Sequence, residues 1–322
     1  MPLSENSLLA LSREATYGTY IETNQVAIPV ESYVANTDPT LAERTDLVGS
    51  IWEQTAVPTR KARAIELNGK LYPGDEIGNI LFQMLGAATT TGAGADKTHV
   101  FNISEAKTGI KSLCAEIVDW GNTAEQYDGI MFNTLTIEGG NEGFITVSVA
   151  GMAQGRGDGA VMSPIVITTV KPYRFFNAAI SYGGGSIKCD SWSISIDMAL
   201  RLENFKTESD EIYQPVIDGK PSVTATLTFD AVNKANRAVY EAGTATAALV
   251  ITLTHSENIP TTETKYSLAF QLPATQITSV EYSGETGQKK ETLNLKGFVG
   301  TATSTDETIL EATLVNGTAA YA

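Results

Sequence analysis

Polar and apolar residues alternate along several stretches of this chain. In Ser222-Val223-Thr224-Ala225-Thr226-Leu227-Thr228-Phe229-Asp230, odd positions are apolar and even ones polar. A period of two belongs to a strand with one face in a core and the other in water. The same alternation runs through Ile65-Glu66-Leu67, Thr134-Leu135-Thr136-Ile137-Glu138, Ile145-Thr146-Val147-Ser148-Val149 and Ser193-Ile194-Ser195-Ile196-Asp197. Frequent Thr, Val and Ile suit a pleated surface. Gly-rich runs at 138–143 and 283–287 read as hairpin turns.

Two short stretches change to a helical period. Residues 75–85 place Ile77, Ile80, Leu81, Met84 and Leu85 on one stripe, with acids Asp75 and Glu76 in the first turn and Gly86 at the end. Residues 231–242 carry a weaker stripe of Val232, Ala235 and Val239, with Asp230 as the expected N-cap and Gly243 as the stop.

The helices reveal a repeat. Each follows an alternating strand, and each is followed by a strand, a loop, a strand opening with Ser-Leu (Ser112-Leu113, Ser267-Leu268) and a closing hairpin. The pattern predicts an all-β fold with minor α: two tandem β-sandwich or half-barrel domains, 1–154 and 155–322, each with one short flanking helix. The Gly-rich run 154–160 is the expected linker. Each half also holds a long irregular segment, about 37–61 and 201–220, containing Leu47, Ile51 and Trp52 in the first and Phe205, Ile212 and Tyr213 in the second. Loops of this length are usually functional or disordered. Their large apolar groups point to burial against a partner subunit, the alternative being burial over the domain's own core.

Composition narrows the function. Thirty-seven acids against 22 Lys and Arg give a net charge of −15 in 322 residues, which disfavours gripping of nucleic acid or anionic membranes. No apolar run reaches the length of a membrane helix, and the start lacks signal-peptide character, so synthesis in the cytoplasm is expected. Two Cys and two His, far apart, give neither a disulfide framework nor a zinc site.

No catalytic constellation survives inspection, and no cofactor is expected. Gly92-Ala93-Gly94-Ala95-Asp96-Lys97-Thr98 resembles a phosphate loop, but Asp96 stands where that loop needs Gly. His99, at the start of a strand, and His255, at the end of one, have no nucleophile at a recognisable spacing and read as ordinary edge residues. Glu208, Asp210 and Glu211 lack calcium-loop spacing.

The opening run Leu9-Ala10-Leu11-Ser12-Arg13-Glu14-Ala15-Thr16-Tyr17-Gly18-Thr19 resembles the start of major tail tube proteins of long-tailed, non-contractile (siphovirus-like) bacteriophages. Leu67-Asn68-Gly69-Lys70-Leu71-Tyr72-Pro73 before the first helix and the 134–151 hairpin fit the same family. The resemblance implies a structural virion protein, not an enzyme. It would be made in the host bacterial cytoplasm and located in the virion tail, self-assembling into stacked rings that form a polar, acidic conduit for DNA. Two units per chain would make three chains a ring with pseudo-sixfold symmetry, favoured over six chains. Implied partners are further copies of the chain, the tape-measure protein and passing DNA in the lumen, and tail tip and terminator proteins, with no membrane. The lumen-facing candidates are Glu66, Asn68, Thr134, Thr136, Glu138, Thr146, Ser148, Ser193, Ser195, Asp197, Thr224, Thr226 and Thr228. The inter-subunit loop anchors are Leu47, Ile51, Trp52, Phe205, Ile212 and Tyr213. The competing class is a carbohydrate- or receptor-binding β-sandwich module of a tail tip or fibre.

Overall fold

The structure, a computed structural model, describes residues 8–21, 25–43, 55–86, 88–103, 111–118, 123–141, 143–160, 169–243, 247–284, 289–304 and 307–321. It is mostly β, with two short α-helices among the described residues.

The first half contains strands β1 (Leu8–Arg13), β2 (Val26–Ile28), β3 (Val30–Ala42) and β4 (Val57–Lys70), then helix α1 (Asp75–Leu85). It continues with β5 (Thr89–Thr91), β6 (Lys97–Asn102), β7 (Leu113–Val118), β8 (Thr123–Gly140), β9 (Thr146–Ala153) and β10 (Gly155–Ala160). The second half contains β11 (Ala178–Tyr182), β12 (Gly185–Ile187), β13 (Cys189–Asp197), β14 (Leu200–Arg201), β15 (Val216–Ile217) and β16 (Ser222–Asp230), then α2 (Ala235–Ala242). It closes with β17 (Ala247–Asn258), β18 (Lys265–Ser283), β19 (Lys290–Phe298), β20 (Gly300–Thr301), β21 (Glu307–Thr308) and β22 (Glu311–Asn316).

The pairing pattern of the first half recurs in the second. One sheet is β3-β4-β9-β8 in the first half and β13-β16-β19-β18 in the second. The other is β2-β1-β7-β8-β10 and β12-β11-β17-β18-β22. β8 and β18 are long enough to belong to both sheets of their half. Irregularities recur too: β3 and β13 bulge after Val30 and Cys189, and β8 and β18 bulge after Phe132 and Ile277. A bulge inserts one residue and sharpens the local twist, so its recurrence bends both halves alike.

The Ser-Leu pairs are not equivalent landmarks. Ser112-Leu113 opens β7, whose counterpart by pairing is β17, whereas Ser267-Leu268 lies inside β18. The β5–β6 hairpin intervenes between α1 and β7, and no described hairpin lies between α2 and β17, so that insertion offsets the extra strand before Ser267 and mimics a constant spacing. The Gly-rich run 155–160 is strand β10, paired along β8. A Cβ at Gly155 would collide with the Asp128 carboxylate and one at Gly159 with the Gln126 amide, so the glycines let β10 lie across those side chains. The first long segment is partly a hairpin arm, with β3 and β4 paired as far as Ala42 and Val57. Pro39 and Pro58 are tolerated because β3 and this part of β4 lie at a sheet edge.

The two halves join edge to edge. β8 pairs antiparallel with β13, from Gly140 opposite Ser191 to Thr134 opposite Asp197. This seam yields one eight-stranded order, β3-β4-β9-β8-β13-β16-β19-β18. The apolar alternates of these strands, including Ile65, Leu67, Leu135, Ile137, Ile194, Ile196, Leu227 and Leu295, are buried in one continuous core.

The helices differ sharply. In α1 every residue from Glu76 to Leu85 is buried, and Tyr321 from the chain's end packs against Gly78. No residue of α2 is buried. α2 starts at Ala235 rather than 231, because β16 continues to Asp230 opposite Lys290, and the Asn233 carboxamide oxygen accepts from the Ala235 N–H at 2.8 Å.

Candidate lumen and assembly surfaces

In an antiparallel ladder, directly paired residues point to the same face. Tracing the register places all thirteen polar candidates on one face of the eight-stranded sheet. Glu66 and Thr134 share the partner Ala150, and Thr134 pairs with Asp197. Asn68, Ser148, Thr136, Ser195 and Thr224 form the next row. Thr146, Glu138, Ser193 and Thr226 follow, and Thr228 lies one further row along β16. Glu66, Glu138, Ser148, Asp197 and Thr224 are exposed and the others half-buried.

Cross-strand hydrogen bonds stitch this face. Thr136 Oγ1 and Ser195 Oγ meet at 3.0 Å across the seam, and Thr228 Oγ1 and Thr292 Oγ1 at 3.1 Å. Thr226 donates to Asn294 Oδ1 at 2.8 Å, and Asn294 Nδ2 donates to Ser279 Oγ at 2.7 Å. The bases of this face are Lys70, Lys290, Lys296 and, toward the far end of β4, Arg60. Lys70 pairs with Glu31 at 3.0 Å, and Lys290 pairs with Asp190 and Asp230. Acids Asp38, Glu66, Glu138, Asp197, Asp230 and Glu281 outnumber them.

Sequence reasoning passed over Asn133, whose only signal is a break in alternation beside Thr134. Asn133 is the extra residue of the β8 bulge. Its Nδ2 donates to Asp197 Oδ1 at 3.1 Å, its Oδ1 accepts from the Leu200 N–H at 2.7 Å, and its carbonyl accepts from the Met198 N–H at 2.9 Å. One side chain thus fastens the second half's loop to the first half at the end of the seam.

The loop from β13 to β16 turns back onto β4. Phe205 lies under the Arg60 guanidinium at 5.1 Å, Ile212 is 1% exposed, and Tyr213 is 59% exposed. The acid run meets bases of β4: Asp210 pairs with Lys61 at 2.7 Å and Glu211 with Arg63 at 3.0 Å. Leu47, Ile51 and Trp52 lie outside the described residues. Large apolar side chains are exposed at both ends of the strands. Phe144 and Phe176 stand at the β8–β9 turn end, and Leu41, Val57, Phe298, Val299 and Tyr213 at the opposite end.

Glu14 of the opening motif is buried, and its carboxylate accepts from the Gly18 N–H at 3.1 Å, the Gly129 N–H at 2.7 Å and Ser112 Oγ at 2.5 Å. Gly129 has φ +61°, a left-handed conformation that favours glycine, and lies at the register shift of the β7–β8 pairing, two residues before β8 begins to pair with β9. Burial pushes the Glu14 carboxyl up to about 7 against the pull of these donors.

The histidines are core residues rather than edge residues. His99 is fully buried between Thr90 and Asn316, with Tyr321 edge-on at 4.7 Å, and His255 stacks edge-on against Tyr173 at 5.4 Å. Burial lowers the pKa of both. Among the described residues no three His, Cys, Asp or Glu side chains converge as metal ligands, and no helix is long and apolar enough to cross a membrane.

A search of curated proteins finds no match. The family model described as phage tail tube protein matches residues 4–297, spanning both halves of the pairing pattern. The chain therefore belongs to the phage tail tube protein family.

Proposed function

We propose that this chain is the major tail tube protein of a long-tailed, non-contractile phage, assembling without catalysis into stacked rings whose channel DNA traverses. The observation that carries the reading is the eight-stranded sheet, in which one four-stranded unit recurs and every polar candidate falls on a single face. That face lines the lumen. Its hydroxyls, amides and surplus acids offer a DNA duplex, with about one negative charge per 1.7 Å, nothing to hold it. Three chains complete a ring of six units, and closure removes the exposed edge strands.

Stacking uses the two strand ends, each bearing exposed apolar groups; a head-to-tail contact of unlike surfaces propagates into a filament. Phe205 and Ile212 join successive units within a chain, while Tyr213, with Leu47, Ile51 and Trp52, serves contacts between chains. The tape-measure polypeptide occupies the lumen before DNA does, and tip and terminator proteins cap the ends. Negative-stain microscopy and native mass measurement of the purified protein test this. Rings or tubes with three chains per ring are expected; monodisperse monomers would refute it. The competing glycan-binding reading draws on exposed Phe144 and Phe176 and predicts such monomers, with binding to a carbohydrate array.

A further inference from the structure

The internal seam shows how two units join. It brings the last strand of one four-stranded sheet, β8, against the first strand of the next, β13. The same strand types recur, without partners among the described residues, at the two ends of the eight-stranded sheet. β3 pairs only with β4, and the Gln276–Ser283 part of β18 pairs only with β19.

Equivalent bulges fix the correspondence residue by residue. Val30 corresponds to Cys189 and Asp38 to Asp197; Thr134 corresponds to Ser279 and Glu138 to Ser283. Resting on the ring reading above, we propose that β18 of one copy pairs antiparallel with β3 of a second copy in the register of the internal seam. Val34 then lies opposite Ser283, Asn36 opposite Glu281, and Asp38 opposite Ser279.

Independent features agree with this register. Val34, Asn36 and Asp38 are exposed, and they share a face with Glu66, as Ser279 and Glu281 do with Asn294 and Thr292, so the wet face continues unbroken. A slip of one residue would turn one strand's wet side chains into the core. A slip of two would set Asp38 opposite Glu281, like charges face to face. At the internal seam Trp192 lies over Gly139, where a Cβ would stand 2.7 Å from the indole Nε1; the proposed seam sets Tyr33 over Gly284, again an aromatic on a glycine. The template pairing ends at Asp197, and its counterpart Asp38 is followed by Pro39, which has no N–H to donate.

The test is disulfide trapping in assembled particles. Directly opposite residues lie about 4.5–5.5 Å apart, within disulfide reach, while diagonal neighbours lie about 7–8 Å apart, beyond it. The double variant Asn36→Cys/Glu281→Cys, mildly oxidised, is expected to give a non-reducing gel ladder ending at three chains. Wild type and the slipped pairs Asn36→Cys/Ser279→Cys and Asp38→Cys/Glu281→Cys should stay monomeric on the gel. A stronger band from a slipped pair, or rings with no band from Asn36→Cys/Glu281→Cys, overturns the register and leaves the tube reading standing. Wild-type protein that forms no rings overturns both. A charge test needs no cysteine: Asn36→Glu should block ring formation without changing monomer circular dichroism, and Glu281→Gln should restore it. Unimpaired rings from Asn36→Glu would sink the proposal.

Discussion

Glu14 ties the start of the chain to the bend of β8, and it does so as a buried acid. Its folded pKa of about 7 lies above the usual carboxylate value of 4.5, so the folded state holds the proton more tightly than the unfolded one. The resulting stabilisation is complete below pH 4.5 and is lost as pH rises through 7, a change on the order of 3 kcal/mol. Thermal melts between pH 5 and pH 8 should show Tm falling as pH rises, and Glu14→Gln should flatten that slope; equal slopes would refute the assignment. Asn133→Ala would strand the buried-side Leu200 N–H and free Asp197, costing about 1–3 kcal/mol in chemical denaturation. Neither role was legible in the sequence beyond the opening motif, because both depend on partners from distant strands. That the thirteen polar candidates share one face was legible, because a period of two assigns faces without knowledge of the partner strand.

At the scale of elements, the contrast between α1 and α2 carries a prediction. Phe82 is 1% exposed within α1, so Phe82→Ala should cost about 3–5 kcal/mol of stability. Tyr240 in α2 is 44% exposed, so Tyr240→Ala should shift stability of the isolated chain by no more than about 0.5 kcal/mol. Urea titration of both variants decides it. The bounds of α1 followed from its stripe, because a buried amphipathic helix writes its period strongly. The start of α2 did not, because nothing buries it and the β16–β19 ladder claims Asp230 first. Likewise the Gly-rich run at 155–160 gave no hint of a strand, since it pairs along the backbone of a distant strand, β8, rather than by its own propensity.

For the whole molecule, strand number sets the size of a closed barrel. With strands about 4.8 Å apart and tilted about 40°, three eight-stranded sheets close at a backbone diameter of about 48 Å, and six chains at about twice that. Class averages of rings distinguish the two directly. Trp52→Ala should leave the far-ultraviolet spectrum of the chain intact and reduce tube yield; normal tubes would remove Trp52 from the interface. Duplex DNA should show no saturable binding to assembled tubes even at about 50 mM salt, where phosphate contacts are strongest.

The seam between β8 and β13 lies within one polypeptide, so its two edges never have to find each other by diffusion. Their effective concentration is in the range a short tether provides, commonly millimolar, whereas the proposed β18-to-β3 contact would depend on how many chains are present. In a three-chain ring half of the joints would therefore be insensitive to dilution. Disassembly would release intact two-unit chains, and exchange between rings would proceed only through the remaining joints.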